Sequence, residues 1–311
     1  MDYSKILKNF SKTKVLVIGD VILDRFWMGE VSRISPEAPV PVVSIGHRID
    51  TPGGAANVAM NITSLGGKAW LCGCIGNDQG GKVLRSLLKK SKVQTSSLVV
   101  GAQLLTIEKT RIIGAGQHIV RIDNEKHLSF SSVDEDRIIR SLRKYISSCD
   151  VIAISDYAKG FLSEHISKEI IRLAKFYKKY IIADTKPEHL RYFNGVNLMT
   201  PNQKEAFEMS GVKDIEKACR IIHKQTGASV LATLGSKGMI LFNANKFHHI
   251  LAHERRVFDV VGAGDTVVAT LALCMGSHVS LEIAAEIANK AAAIVVSKPG
   301  TATVTPSELK E

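Results

Sequence analysis

Short apolar, β-branched runs recur along this chain, and most of them are apolar throughout. "KVLVIGD" (14–20), "AWLCGCIG" (69–76), "VIAISD" (151–156), "YIIADT" (180–185), "NLMTPN" (197–202) and "VLATLG" (230–235) are of this kind. A strand with one wet face alternates apolar and polar residues. A strand without that alternation is covered on both faces, as in a parallel sheet. Helical patterns lie between the runs and after them, at 55–65, 80–90, 133–147, 163–180, 203–209, 215–226, 265–275 and 281–297. Strand–helix alternation predicts an α/β fold, a mostly parallel, doubly wound sheet with right-handed crossovers, as a single domain over 1–311. In such folds ligands sit outside the carboxyl ends of the strands.

Two segments, at about 24–49 and 97–123, break the alternation. The first holds Pro36, Pro39, Pro41 and the alternating "VPVVSI". The second contains "LLTIEKTRIIGAGQHIVRID", a hairpin pattern turning at "GAGQ". Both are expected to be inserted antiparallel strands. Together they would make a small sheet, serving as a lid over the main site or as a dimer surface.

With 311 residues, 45% of them hydrophobic, the chain can bury a large core. No apolar run reaches the ~20 residues of a membrane helix. Charges interrupt "MDYSKILKNFSKTKVLVIGD", unlike a signal peptide, so a cytoplasmic location is expected. The net charge of +11 suits nucleic acid or small anionic ligands. The basic stretches "LRSLLKKSK" and "IIRLAKFYKKY" have the spacing of solvated helix faces, and neither zinc-finger nor RNP spacing occurs. The reading is phosphate-bearing small ligands, with no nucleic acid and no membrane. Five cysteines form no CxxC pair. Cys72 and Cys74 share a strand face, as buried core thiols or as two metal ligands. The ten histidines suggest no metal set, and the adjacent His248 and His249 point apart in a strand.

Three elements carry candidate chemistry. "FDVVGAGDTVVATLALCMG" (258–276) passes from a glycine turn into an apolar helix, with Asp265 where that helix begins. A helix N-terminus offers unpaired N–H groups and the positive end of the dipole, and glycines let an anion approach. Gly262, Ala263 and Gly264 would then donate to a transferring phosphoryl group, while Asp265 takes a proton from the attacking hydroxyl. The plainer alternative is an N-cap aspartate. "DTPGGAANVAMNITSLGG" places Gly53 and Gly54 before a helix that begins with Asn57 nearby. The glycines allow a substrate against backbone, and Asn57 can bond hydroxyls; a tight packing turn is the alternative. In "VIGDVILDRFW", Asp20 ends the first strand and Asp24 follows, a pattern suited to vicinal hydroxyls; a cap is the alternative for Asp20.

In this order the elements resemble the ribokinase-like (PfkB) family of carbohydrate kinases. "GGAANVAMNITSLGG" is similar to its first signature and "DVVGAGDTVVATLA" to its second. The resemblance covers essentially the whole chain and implies a three-layer αβα sandwich with a small β-lid. "VLVIGDVILDRFWMGEVSRISPEAPVPVV", "SDYAKG" and "KPGTATVTPSEL" further resemble the heptose 7-phosphate kinases of lipopolysaccharide core synthesis. Those kinases are often fused to a nucleotidyltransferase with an HxGH-type motif, which this sequence lacks; it resembles the stand-alone form. The resemblance implies transfer of the ATP γ-phosphate to O1 of D-glycero-D-manno-heptose 7-phosphate.

It also implies roles. Asp265 would be the base and Gly262, Ala263 and Gly264 the anion hole. Asp20, Asp24, Gly53, Gly54 and Asn57 would hold the sugar, and Arg111 its phosphate. Lys159 and Lys186 would neutralise phosphates or be surface charges. Asn202 and Glu205, in "TPNQKEA", are similar to the family's NxxE element and would organise Mg²⁺ through water, or form a plain cap with a surface glutamate. Thr233, Gly235, Ser236 and Gly238 would lie near the nucleotide, with Lys237 in the same turn. Asn289 would lie near the adenine or be a polar residue of a core helix. "SKPGTAT" (297–303) lies where many members bind a monovalent cation such as K⁺. A homodimer through the lid is expected. Fold does not fix substrate. A kinase of another sugar or nucleoside, and a silent sugar-phosphate-binding regulator, are the alternatives.

Overall fold

The computed structural model describes residues 3–253, 255–298 and 300–310. In chain order its strands are β1 (Lys14–Gly19), β2 (Val21–Ile34), β3 (Pro41–Gly54), β4 (Lys68–Cys72), β5 (Cys74–Gly76), β6 (Val99–Gly101), β7 (Ile107–Gly114), β8 (Gln117–Asn124), β9 (Val151–Ser155), β10 (Tyr180–Asp184), β11 (Leu198–Met199), β12 (Ser229–Thr233), β13 (Met239–Asn243) and β14 (Lys246–Ile250). The main sheet has the order β14-β13-β12-β11-β10-β9-β1-β4. The run from β12 to β4 is parallel; β13 and β14 add an antiparallel edge.

The apolar strands feed two cores. Val15 and Val17 of β1 face one, with the helices Ala55–Ser64, Gln79–Lys90, Ala263–Gly276 and Leu281–Val295. Leu16 and Ile18 face the other, with the helices Ser132–Ser148, Glu164–Phe176, Gln203–Ser210 and Ile215–Thr226. Each fully buried aliphatic side chain contributes about 1.5–3 kcal/mol, which is why the strand interiors are mostly apolar, with polar residues such as Ser155 and Asp184 at strand ends. Asp78, Ser131, Ser163, Asn202, Asp214 and Ser280 accept backbone N–H bonds at helix starts. The helix expected over 163–180 ends at Phe176, because Lys178 takes a left-handed φ of 53° and Tyr180 enters β10.

The lid is a four-stranded sheet, β3-β2-β7-β8. Its hairpins are antiparallel, but β2 pairs with β7 in parallel, so the sheet is mixed. Ala115 and Gly116 turn the β7–β8 hairpin, both with positive φ, the geometry that matches strand twist. Lid boundaries differ from the sequence reading. The first insertion starts at Val21 and ends at Gly54. Of the second, Val99–Gly101 instead pairs with β5, since "AWLCGCIG" breaks at Gly73 and sends β5 out of the main sheet. Cys72 and Cys74 lie in the same core, where burial pushes both thiols up, that of Cys72 to about 12. All five cysteines are free and buried. His248 and His249 point to different acids, Glu282 and Glu216.

Candidate active site

Strands β1, β9 and β10 end in register, Gly19 beside Ser155 beside Asp184. The residues that follow, Asp20, Asp156 with Tyr157, and Thr185 with Lys186, therefore share one edge. Over this edge comes the N-terminus of the Ala263–Gly276 helix.

The cap of that helix is Gly262, at φ 81°, and Asp265 occupies the third helical position. A Cβ on Gly262 would lie 2.7 Å from the Asn57 amide nitrogen, so both the conformation and the contact require glycine. Asp265 Oδ2 accepts from Asn57 Nδ2 at 2.7 Å and Oδ1 from the Tyr157 hydroxyl at 3.2 Å. The residue is only 4% exposed. Burial raises its carboxyl to about 7, the bonds from Asn57 and Tyr157 oppose the rise, Asp24 adds to it and Lys186 subtracts. A carboxyl poised near neutrality can take a proton from a hydroxyl.

Beside it opens a cavity of about 900 Å³. Ala263 and Gly264 line it, together with Thr233, Gly235, Ser236, Lys237, Gly238 and Asn289. The nucleotide residues read from the sequence thus converge here, except Asn202. Arg255 and Arg256 also line the cavity and were not foreseen. Gly264 is in the first turn, where a backbone N–H has no helical acceptor. The Ala263 N–H is engaged with Val260 O at 3.3 Å. Asn289 Nδ2 donates to Leu251 O at 2.7 Å.

The end of the site under the small sheet is more tightly paired. Asp24 is buried, and its Oδ1 lies 2.5 Å from Arg111 Nη1; that guanidinium also sits 5.1 Å over the Phe26 ring. Gly53 pairs with Ile22, and Gly54 (φ 57°, ψ −135°) carries β3 straight into the Ala55–Ser64 helix. Asn57 has no exposed surface: its Nδ2 serves Asp265 and its Oδ1 accepts from Asn61, whose own Oδ1 accepts from Thr266. The Asp20 carboxylate accepts backbone N–H bonds from Tyr157, Lys159 and Phe161 at 2.9–3.3 Å. Burial raises its pKa; those bonds lower it and the Asp156 charge adds to the rise. Both side chains are thus largely engaged within the protein: Asp20 Oδ1 accepts one bond and Oδ2 two, and one N–H of Asn57 serves Asp265. Lys159 Nζ bonds Glu125 at 2.5 Å.

Asn202 and Glu205 form a capping box. Glu205 is buried, not a surface residue, and its Oε1 holds Lys186 Nζ at 2.6 Å. Burial works against the Lys186 charge, but Glu205 and then Asp184 hold its pKa above the ordinary value. Asp184 is pushed well above the carboxylate range, by burial first and the Glu205 charge second. Among the described residues no three His, Cys, Asp or Glu side chains are grouped to hold a metal directly. The raised Asp184 carboxyl marks a crowding of acids that a cation would relieve by letting it ionise, which fits an ion held through its own waters. In 297–303, Thr301 Oγ1 meets Thr51 Oγ1 at 2.5 Å; Pro299 lies outside the described residues.

Tyr157, Asp156 and Asp184 were missed in the sequence. Each follows or ends an apolar run, so the strand-end rule marks them too. What was lacking was the sheet order that sets them beside Asp20.

A buried carboxyl in the first turn of a helix, beside a cavity of about 900 Å³ in an α/β sheet with a smaller β-sheet, is an arrangement suited to phosphoryl transfer. The chain belongs to the pfkB family of carbohydrate kinases, whose model matches residues 12–308. It is an ATP-dependent sugar kinase. The bifunctional protein HldE of Desulfatibacillum aliphaticivorans is 41% identical over 308 residues, 97% of this chain and 63% of that protein. HldE of Granulibacter bethesdensis is 42% identical over 315 residues, 97% of this chain and 65% of that protein. The chain thus spans less than two thirds of the length of these relatives. Among solved structures, phosphofructokinase-2 from Escherichia coli in complex with potassium shares the fold, with TM-score 0.77, 21% identity and 96% of both chains covered. Arabidopsis thaliana ribokinase complexed with ribose and ATP does so with TM-score 0.72 and 20% identity, over 96% of this chain and 97% of that one.

Proposed function

We propose that this kinase transfers the ATP γ-phosphate to O1 of D-glycero-D-manno-heptose 7-phosphate, giving the 1,7-bisphosphate, a precursor of ADP-heptose for lipopolysaccharide core synthesis. The buried Asp24–Arg111 pair carries the reading of a phosphorylated sugar. Breaking such a pair costs about 3–5 kcal/mol when one partner is left alone. A ligand with both hydroxyls and a phosphate replaces both partners at once: hydroxyls donate to Asp24, and the phosphate accepts from Arg111. The choice of heptose rests on the resemblance of the "SRISPEAPVPVV" stretch and on the HldE relatives.

Asp265 takes the proton of the attacking hydroxyl, and first-turn amides receive the charge on the transferring group. Lys237, Arg255 and Arg256 hold nucleotide phosphates in the cavity. Mg²⁺, when bound, neutralises those phosphates, and Glu205 and Asn202 are the residues that would hold it through water. Near 297–303 the chain would hold a monovalent cation, if one is used, through backbone carbonyls. The chain acts as one domain in the cytoplasm. It pairs with a second copy through the lid, whose β8 exposes Val120 and Ile122.

The test is ATP consumption over a panel of sugars with and without a terminal phosphate, with products mapped by phosphorus NMR. Heptose 7-phosphate should yield one new anomeric phosphate, and removing its 7-phosphate should sharply lower kcat/KM. Equal turnover of ribose or adenosine overturns the substrate.

A further inference from the structure

The segment "SDYAKG" was read from the sequence for Lys159 alone, yet it carries Asp156 and Tyr157. Its geometry is demanding. Ala158 has φ 54°, a left-handed conformation that costs a residue with a Cβ about 1–2 kcal/mol. Strained backbone persists where the surroundings over-determine it. Here Asp20 accepts the N–H groups of Tyr157, Lys159 and Phe161, while Asp156 Oδ1 accepts that of Ala158 at 2.9 Å. Two buried carboxylates thus fix the path of a few residues. The one side chain this path delivers to the reacting edge is Tyr157. Its hydroxyl reaches Asp265 Oδ1, and Lys186 Nζ lies 5.2 Å over its ring.

We infer that Tyr157 is a positioning residue for Asp265, and that Asp20 acts on the base at one remove, by fixing the loop that carries the phenol. This rests on the reading of Asp265 as the base. Asn57 and Tyr157 each engage one carboxylate oxygen, from different elements, so the carboxyl plane cannot turn about its bond. Each oxygen keeps a further lone pair for the sugar hydroxyl. The groups facing Asp265 are Asn57 from its helix, Tyr157 from the loop, Asp24 from the lid, and Lys186 and Asp184 from the end of β10. Of these, Tyr157 and Asn57 donate to the carboxylate, and both favour its charged form.

The test is Tyr157→Phe, which keeps the ring and removes one donor. The Asp265 carboxyl is followed by carbon NMR of aspartate-labelled protein without substrate, its signal identified by its loss in Asp265→Asn. Its midpoint should rise by about one pH unit. With ATP and the sugar phosphate that turns over, the acid limb of kcat/KM should rise by the same amount, leaving about tenfold less activity below the limb and near-native activity above it. The KM for ATP should hold. Asp20→Asn should move the midpoint in the same direction. An unmoved midpoint in Tyr157→Phe overturns the inference, even if activity falls. An unmoved midpoint in folded Asp20→Asn overturns the part given to Asp20; if that variant fails to fold, Ser replaces Asn under the same criterion. If Asp265→Asn retains turnover, the base assignment fails instead, whatever the NMR shows.

Discussion

The two ends of the site are built on opposite plans. At the nucleotide end, Gly264, Ser236, Lys237, Arg255 and Arg256 surround an open cavity. At the sugar end, nearly every polar group already has a partner: Asp24 with Arg111, Asp20 with three amides, Asn57 with Asp265 and Asn61, Lys186 with Glu205. A nucleotide can enter with little rearrangement. A sugar must exchange partners, and only a ligand that replaces what it displaces does so without loss. On the proposed reading, selectivity is thereby concentrated at the lid.

The harshest way to break this contrast is Asp265→Asn. It should lower kcat by roughly 10²–10⁴. The same change should raise thermal stability at pH 8. The native carboxyl titrates near 7 against 3.8 for an ordinary aspartate, so between those values the folded state holds a proton the unfolded state lacks. Stability therefore falls as pH rises through this window, by a few kcal/mol as an order of magnitude. An amide carries no charge and escapes that loss. A melting temperature that drops at pH 8 would show that the ionised form is not the strained one.

Gly262→Ala comes next. The new methyl would press on the Asn57 amide, and the left-handed φ would be strained, together on the order of 1–3 kcal/mol. A tenfold or greater loss of kcat with less change in KM for ATP is expected in steady-state assays. Loss confined to ATP binding would instead place the effect in the cavity.

Arg111→Lys sharpens the contrast from the other side. It keeps a charge for Asp24 but loses the planar fork that grips a phosphate. The KM for the phosphorylated sugar should rise about tenfold, an effect on the scale of one lost charged hydrogen bond. The KM for ATP should stay within twofold. Equal changes in both would end the division of labour. Asn289→Ala should do least, a rise of a few-fold in KM for ATP, because its amide is already spent on Leu251 O.

Most of the scaffold was legible because the parallel strands are apolar on both faces, a local property. The glycine turn before Asp265 was legible for the same reason, since it lies at the end of a recognisable run; Thr233, Gly235, Ser236 and Gly238 were brought together only by the family resemblance. Of the β13–β14 edge hairpin only the strand at His248 and His249 was read; the short apolar run of β13 was not placed in the sheet. The partners at the sugar end were illegible in principle. Asp20 and Tyr157 are 137 positions apart, and only the pairing of β1 with β9 brings them together. Asn57 was read as a sugar ligand since an amide suits hydroxyls; nothing local to it announces that Asp265 has claimed its donor.

The lid strand β3 has no loop after it. Its last residue, Gly54, is the first point of the helix whose third residue, Asn57, grips the acid. Door and latch are consecutive stretches of one polypeptide, hinged on a residue without a side chain. Tilting that strand therefore tugs at the grip on the acid, and a strained hinge would be felt first in the chemistry and only afterwards in how well the sugar is held.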